Sequence, residues 1–181
     1  MKAIGAREQV KRPASDAGET DKVVLRPQQP EDEPFIFRLF AAGRPDLEWI
    51  TGVGPDRKQE LLVRQFRCEQ EQLRKDYPAA EYSIILQAGN PVGRLYLHRG
   101  DKEYRILLLT LVPEYRGRGI GGSLIKSILL EASAGNKPVG LQVAWYNHAA
   151  RGLYERIGFQ VAEDAEVYCE MQWLPETGSN E

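Results

Sequence analysis

The stretch Leu109-Thr110-Leu111-Val112-Pro113-Glu114-Tyr115-Arg116-Gly117-Arg118-Gly119-Ile120-Gly121-Gly122-Ser123 reads as an apolar strand, a glycine-rich turn and the start of a helix. Glycines let backbone N–H groups approach a ligand with no Cβ in the way. A helix N-terminus adds partial positive charge, so such a loop can hold a diphosphate. Arg116 and Arg118 flank those amides and can add charge-assisted contacts to phosphate oxygens. Four glycines within six residues, with two arginines at the mouth, exceed what a tight strand-to-helix turn requires.

Three rival phosphate loops fail on these residues. A nucleoside-triphosphate P-loop needs Gly-Lys-Ser/Thr, which the chain lacks; Lys126 falls inside the following helix. Gly117, Gly119 and Gly122 fit a dinucleotide GxGxxG formally. That unit expects a parallel βαβ sheet and an acid about 20 residues on, whereas Glu131 falls within the helix. A kinase glycine loop needs the remaining kinase signature, for which the chain is too short.

Working outward, apolar residues Leu124, Ile125, Ile128, Leu129 and Ala132 form the inner face of a helix from Gly119 to Ala134, ended by Gly135 and Pro138. After it come a strand over Val139 to Trp145, a short helix over Ala149 to Ile157 stopped by Gly158, and strands from Phe159 and over Val167 to Trp173. Upstream, Tyr82 to Leu86, Val92 to Leu97 and Tyr104 to Val112 read as an antiparallel meander whose first turn is Ala88-Gly89-Asn90-Pro91. The last of these is apolar on both faces, as a central covered strand would be. Before it come a short strand at Val23 to Leu25, a helix carrying Phe35, Ile36, Leu39 and Phe40, and a helix from Asp56 to Tyr77 with Leu62, Phe66, Leu73 and Tyr77 on one stripe. The loop Pro45 to Pro55 carries Trp49, which either faces a substrate or anchors its own loop.

Residues 1–21 and 175–181 lack any apolar period and read as mobile tails around one domain spanning 22–174. The chain has 181 residues, with 24 Lys and Arg against 26 Asp and Glu, a formal charge of -2 that argues against a nucleic-acid grip. No apolar run reaches the roughly 18 residues of a membrane span. Cys68 and Cys169 stand in no metal or disulfide spacing and read as two buried thiols of a reduced, cytoplasmic protein; no metal site is expected.

Val112-Pro113-Glu114-Tyr115-Arg116-Gly117-Arg118-Gly119-Ile120-Gly121 resembles the acetyl-CoA-binding motif of the GCN5-related N-acetyltransferases (GNAT), Gln/Arg-x-x-Gly-x-Gly/Ala, with Arg116, Gly119 and Gly121 at its fixed places. Asn147-His148-Ala149-Ala150 with Leu153-Tyr154-Glu155-Arg156-Ile157-Gly158-Phe159 resembles the family's second signature. The element order agrees over about residues 23–173, while the motifs are confined to 109–159.

The resemblance implies an α+β fold in which about four helices flank a twisted, mostly antiparallel sheet of roughly six or seven strands. It also implies acetyl transfer from acetyl-CoA to an amine acceptor; a monomer or homodimer is expected, and the charge balance and the short apolar runs point to no nucleic-acid or membrane partner. On this reading the loop amides of Gly117, Arg118, Gly119, Ile120, Gly121 and Gly122, with Arg116, hold the diphosphate. Backbone of Leu109 and Leu111 pairs with the pantetheine arm as an added strand, and Asn147 either touches that arm or caps the short helix. Pairing would break at Val112-Pro113, where proline offers no N–H. A backbone N–H near Leu111 would stabilise an oxyanion, and Tyr154 would either protonate the leaving thiolate or stand as a core tyrosine with a satisfied hydroxyl.

The general base stays open between Glu103, Glu81 and none. His98 and His148 read as surface histidines. An acyl-CoA-binding module without transfer activity is the alternative function, and the acceptor and the acyl length are not encoded in any motif.

Overall fold

A computed structural model describes residues 22–44, 51–52 and 54–176. The expected tails, apart from residues 175–176, and Trp49 with most of its loop lie outside these residues. In chain order the elements are β1 (Val23–Pro27), α1 (Glu33–Ala42), α2 (Pro55–Asp76), β2 (Glu81–Gln87), β3 (Asn90–Arg99), β4 (Tyr104–Leu111), α3 (Ile120–Ala134), β5 (Val139–Ala144), α4 (His148–Ile157), β6 (Gln160–Asp164) and β7 (Tyr168–Trp173). They form one seven-stranded sheet ordered β1-β2-β3-β4-β5-β7-β6. Every neighbouring pair is antiparallel except β4 with β5, so the sheet is mixed.

Each face of the sheet is covered by the apolar stripe of particular helices. Ile36 and Phe40 of α1 and Phe66 of α2 bury against Ile84 of β2, and the Phe66 ring meets Phe37 edge-on at 5.3 Å. On the opposite face Ile120, Ile125, Ile128, Leu129 and Ala132 of α3 pack on Leu95, Leu97, Ile106, Val139 and Leu141. Burial of each such aliphatic contributes up to about 2 kcal/mol. The β2–β3 turn places Ala88 and Gly89 at φ of 50° and 77°, the pair of positive angles that matches strand twist in a two-residue hairpin.

Two buried charges fix how the elements meet. Asp32, just before α1, accepts from both Nη of Arg26 on β1 at 2.7 and 2.6 Å and from the Gln29 N–H at 2.8 Å. Arg94 on β3 reaches Glu69 on α2 at 3.0 Å, with its guanidinium 5.2 Å from the Tyr96 ring centre. Tyr96 donates in turn to Gln28 Oε1 at 2.8 Å.

Cys169 is buried, but Cys68 is exposed on α2, contrary to the expectation of two buried thiols. Cys68 lies two residues from Phe66, off the stripe that α2 turns inward.

Candidate functional site

The central strand divides the sheet. β4 pairs with β5 through Tyr104↔Val139, Arg105↔Gly140 and Ile106↔Leu141, and there the pairing stops. On its other side β4 stays paired with β3 through Leu111, with a register shift between Tyr96↔Leu108 and Leu97↔Ile106 that leaves Leu107 as an extra residue. A one-residue bulge sharpens strand twist and re-aims the rest of the strand. From Leu107 onward β4 therefore swings away from β5, opening a wedge between them. The break lies here and not at Val112-Pro113, where Val112 N–H still donates to Val92 O at 2.9 Å. Proline ends the strand; the bulge opens the sheet.

Alternation along an antiparallel ladder decides which backbone groups face the wedge. Since Val112 bonds to Val92, Thr110 is the next residue bonded to β3, and Leu109 and Leu111 turn their N–H and C=O toward the open side. The Leu111 carbonyl confirms that direction by accepting from Arg116 Nε at 2.9 Å. Leu107 to Leu111 are half-buried, so this strand is not covered along its whole length.

Past β4 the chain makes a single 3-10 turn, Pro113–Tyr115, and enters the glycine loop. Gly117 and Gly119 sit at φ of 71° and 83°, the left-handed region that favours glycine. Gly119 caps α3 without a side chain, and the first intrahelical bond runs from Ser123 N–H to Gly119 O at 2.9 Å. The N–H groups of Ile120, Gly121 and Gly122 thus have no partner within the helix. Of the two arginines, Arg116 ties the loop to Leu111, while the Arg118 guanidinium lies 5.0 Å from the Tyr115 ring centre.

Tyr154 and Asn147 occupy α4 and its N-terminal cap. The Asn147 Oδ1 accepts from Ala150 N–H at 3.2 Å, so it caps this helix. Tyr154 is buried beside Phe159, with ring centres 5.8 Å apart. Burial pushes its phenol above the ordinary tyrosine value, so it stays protonated at neutral pH.

A groove of about 620 Å³ between α3 and α4 is lined by Gly119, Gly122, Leu153 and Ile157 and by the cations Lys126 and Arg156. Sequence reasoning missed these two cations. Lys126 lies seven residues after Gly119, on one helical face, and could have been read from that spacing. Arg156 joins it only because α4 packs on α3, with Leu153 of α4 beside Gly122 of α3.

The two acids weighed as a general base sit away from the wedge. Glu81 starts β2 opposite Leu97 and is ion-paired with Arg99. Glu103 precedes β4, beside Arg105, which Glu170 holds at 2.7 Å. Glu103 stands at the paired end of β4, roughly 26 Å of strand from Leu111, and Glu81 lies on β2, two strands from β4. His98 meets the Tyr77 ring at a tilt of 56° with ring centres 5.4 Å apart, and His148 opens α4.

The profile of the acetyltransferase (GNAT) domain matches residues 78–161, which run from just before β2 into β6 and include the wedge, the loop and Tyr154. Residues 78–161 are a GNAT domain. A Bacillus subtilis (strain 168) protein provisionally named a ribosomal protein bS18-alanine N-acetyltransferase is 31% identical over 84 residues, 46% of this chain and 56% of that protein. The N-alpha-acetyltransferase RimI of Mycobacterium tuberculosis (strain ATCC 25618 / H37Rv) is 41% identical over 58 residues, 32% of this chain and 35% of that protein. These matches span about half of the first relative and about a third of the second.

Beyond the GNAT domain itself, the fold extends over most of the chain. The PaiA N-acetyltransferase of Thermoplasma acidophilum, solved in complex with coenzyme A, superposes with a TM-score of 0.63 over 84% of this chain and 99% of that one, at 16% identity. The GNAT fold therefore includes β1, α1, α2 and β7, which the domain profile leaves out. Among the described residues no helix is long and apolar enough to cross a membrane.

Proposed function

We propose that this protein is an acetyl-CoA-dependent N-acetyltransferase that passes an acetyl group directly to a bound primary amine. The observation that carries the reading is the chain continuity of the wedge at Leu107–Leu111 with the amides of Ile120, Gly121 and Gly122, which have no partner within α3. An unpaired strand edge takes up an amide-bearing arm as an added strand, and a helix N-terminus at its end takes a diphosphate. The fit is supported further by Lys126 and Arg156, which line the adjoining groove.

When bound, acetyl-CoA supplies an activated acyl carbon. The chain's own groups do the rest. Leu109 backbone aligns the arm, and the Leu111 N–H donates to the oxygen on which negative charge develops. The amine nitrogen forms the new C–N bond as the C–S bond breaks, and the Tyr154 hydroxyl gives its proton to the departing sulfur. The proton shed by the amine leaves to solvent, and a proton from solvent restores the phenol.

Acetyl-CoA at about 100 µM should raise the melting temperature by mass action on the folded state, and an amine panel scored by free CoA should show turnover. A melting shift with no CoA release from any amine would identify an acyl-CoA-binding module instead.

A further inference from the structure

At the open end of the wedge the chain exposes a cluster of aromatic side chains. Trp145 and Tyr146, directly after β5, are 57% and 43% exposed and meet edge-on with ring centres 5.9 Å apart. The Trp145 N–H donates to Val167 O at 3.2 Å, which joins them to the β6–β7 turn, where Val167 and Tyr168 are 58% and 51% exposed. Tyr168 stands opposite Ala144, on the sheet face away from the buried Cys169 and Met171. The patch is continuous with the wedge, because Gln142 to Ala144 are the β5 residues from which β4 has parted.

The hairpin beside this wall is acidic in sequence. The β6–β7 hairpin carries Glu163, Asp164, Glu166 and Glu170 and no lysine or arginine. Glu170 is held by Arg105 at 2.7 Å and Asp164 by Arg151 at 3.6 Å. Glu163 stands directly opposite Glu170, on the face that Tyr168 shares. Arg105 compensates Glu170 in this facing pair, so Glu163 and Glu166 are the carboxylates considered for an added cation. Exposed aromatic faces bind cations through the ring quadrupole, and nearby carboxylates make an apolar occupant the poorer match.

We propose that Trp145, Tyr146 and Tyr168, with Glu163 and Glu166, receive a second positive charge on the acceptor, so that dicationic amines are preferred over monoamines. The inference rests on the acetyltransferase reading and adds the acceptor class.

Butylamine and putrescine, equal in chain length and differing by one ammonium, test it with acetyl-CoA and free CoA as the readout. Putrescine should have a kcat/KM about tenfold higher, mainly through KM, and the ratio should shrink as salt screens the carboxylates. Trp145→Leu and Glu163→Gln should each pull the ratio toward unity, whereas Trp145→Phe, which keeps an aromatic face, should restore much of it. The melting shift with acetyl-CoA checks that each variant folds. Equal use of both amines by the unaltered protein overturns the inference alone. CoA release from neither amine overturns this inference, and the transferase reading falls with it only if the wider amine panel also releases no CoA despite a melting shift.

Discussion

Arg116 Nε donates to the backbone carbonyl of Leu111 at 2.9 Å, so one guanidinium joins the last residue of β4 to the glycine loop. This bond uses the Leu111 carbonyl through Nε alone, so both Nη groups remain as further donors of the same guanidinium. A lysine keeps the charge but cannot hold a strand carbonyl and a phosphate with one ammonium.

For that reason both Arg116→Ala and Arg116→Lys should weaken acetyl-CoA. A charge-assisted bond contributes about 1.5–3 kcal/mol, so Kd should rise about tenfold or more, with lysine recovering only part of the loss. Calorimetric titration would measure it. An Arg116→Lys variant with unaltered Kd would show that the fork to Leu111 does not matter for binding.

The glycines of the site should divide by backbone angle and by space. Gly119 has φ of 83° with open space around its Cβ direction, so Gly119→Ala should cost about 1–2 kcal/mol through strain alone. Gly121 is helical, with Leu109 Cδ2 at an ordinary 3.7 Å, and Gly121→Ala should leave the melting temperature level or raised. Gly93 is the strictest: a Cβ there would stand 2.4 Å from the Thr110 carbonyl oxygen and 2.7 Å from Leu111 Cδ2. Gly93→Ala should lose about 3 kcal/mol and roughly 6–12 °C in Tm. Thermal melts of the three variants would rank them, and an order other than Gly93, Gly119, Gly121 would contradict the geometry.

Tyr154→Phe should lower kcat by about 100-fold while leaving acetyl-CoA affinity within a few-fold. Since burial raises the phenol's pKa, the unaltered enzyme should show no tyrosine-derived fall in rate below about pH 10. Full kcat in the Phe variant would remove the tyrosine from the chemistry.

Asp32 gives a stability prediction with a definite sign. The Arg26 guanidinium beside it holds its carboxyl below the usual aspartate value. Its contribution is therefore complete above the unfolded pKa of about 3.9 and is lost as pH falls through the lower folded value. Asp32→Asn should cost about 1–2 kcal/mol at pH 7, the figure discounted because the Arg26 side chain is 31% open to water. Urea midpoints should show that gap shrinking below about pH 4; a gap that persists to pH 2 would mean the ion pair is not its source.

Much of the fold is legible from local signals. Ile36, Leu39 and Phe40 repeat as a helical face and are buried as one, Gly135 caps α3, and Ala88-Gly89 turn the first hairpin. Gly117 and Gly119 need left-handed angles whatever surrounds them, so the loop that leads into α3 is written in its own residues. These features depend on residues within a turn or two of each other, and residue chemistry suffices to decide them.

The wedge was decided elsewhere. Ile106, Leu107, Leu108 and Leu109 are all apolar, so a one-residue slip at Leu107 changes which face each leucine serves without leaving any mark in the polarity pattern. Whether β4 keeps or leaves β5 after Ile106 depends on strands that are distant in the chain. The same holds for Glu81 and Glu103, which only the assembled sheet removes from the wedge, and for Trp145 and Tyr168, which only it brings together. Local residue order thus sufficed for a phosphate-type loop in a strand-to-helix setting. Assembly of the sheet chose where it opens and which side chains surround the opening, because strand pairing is a long-range choice that no local propensity encodes.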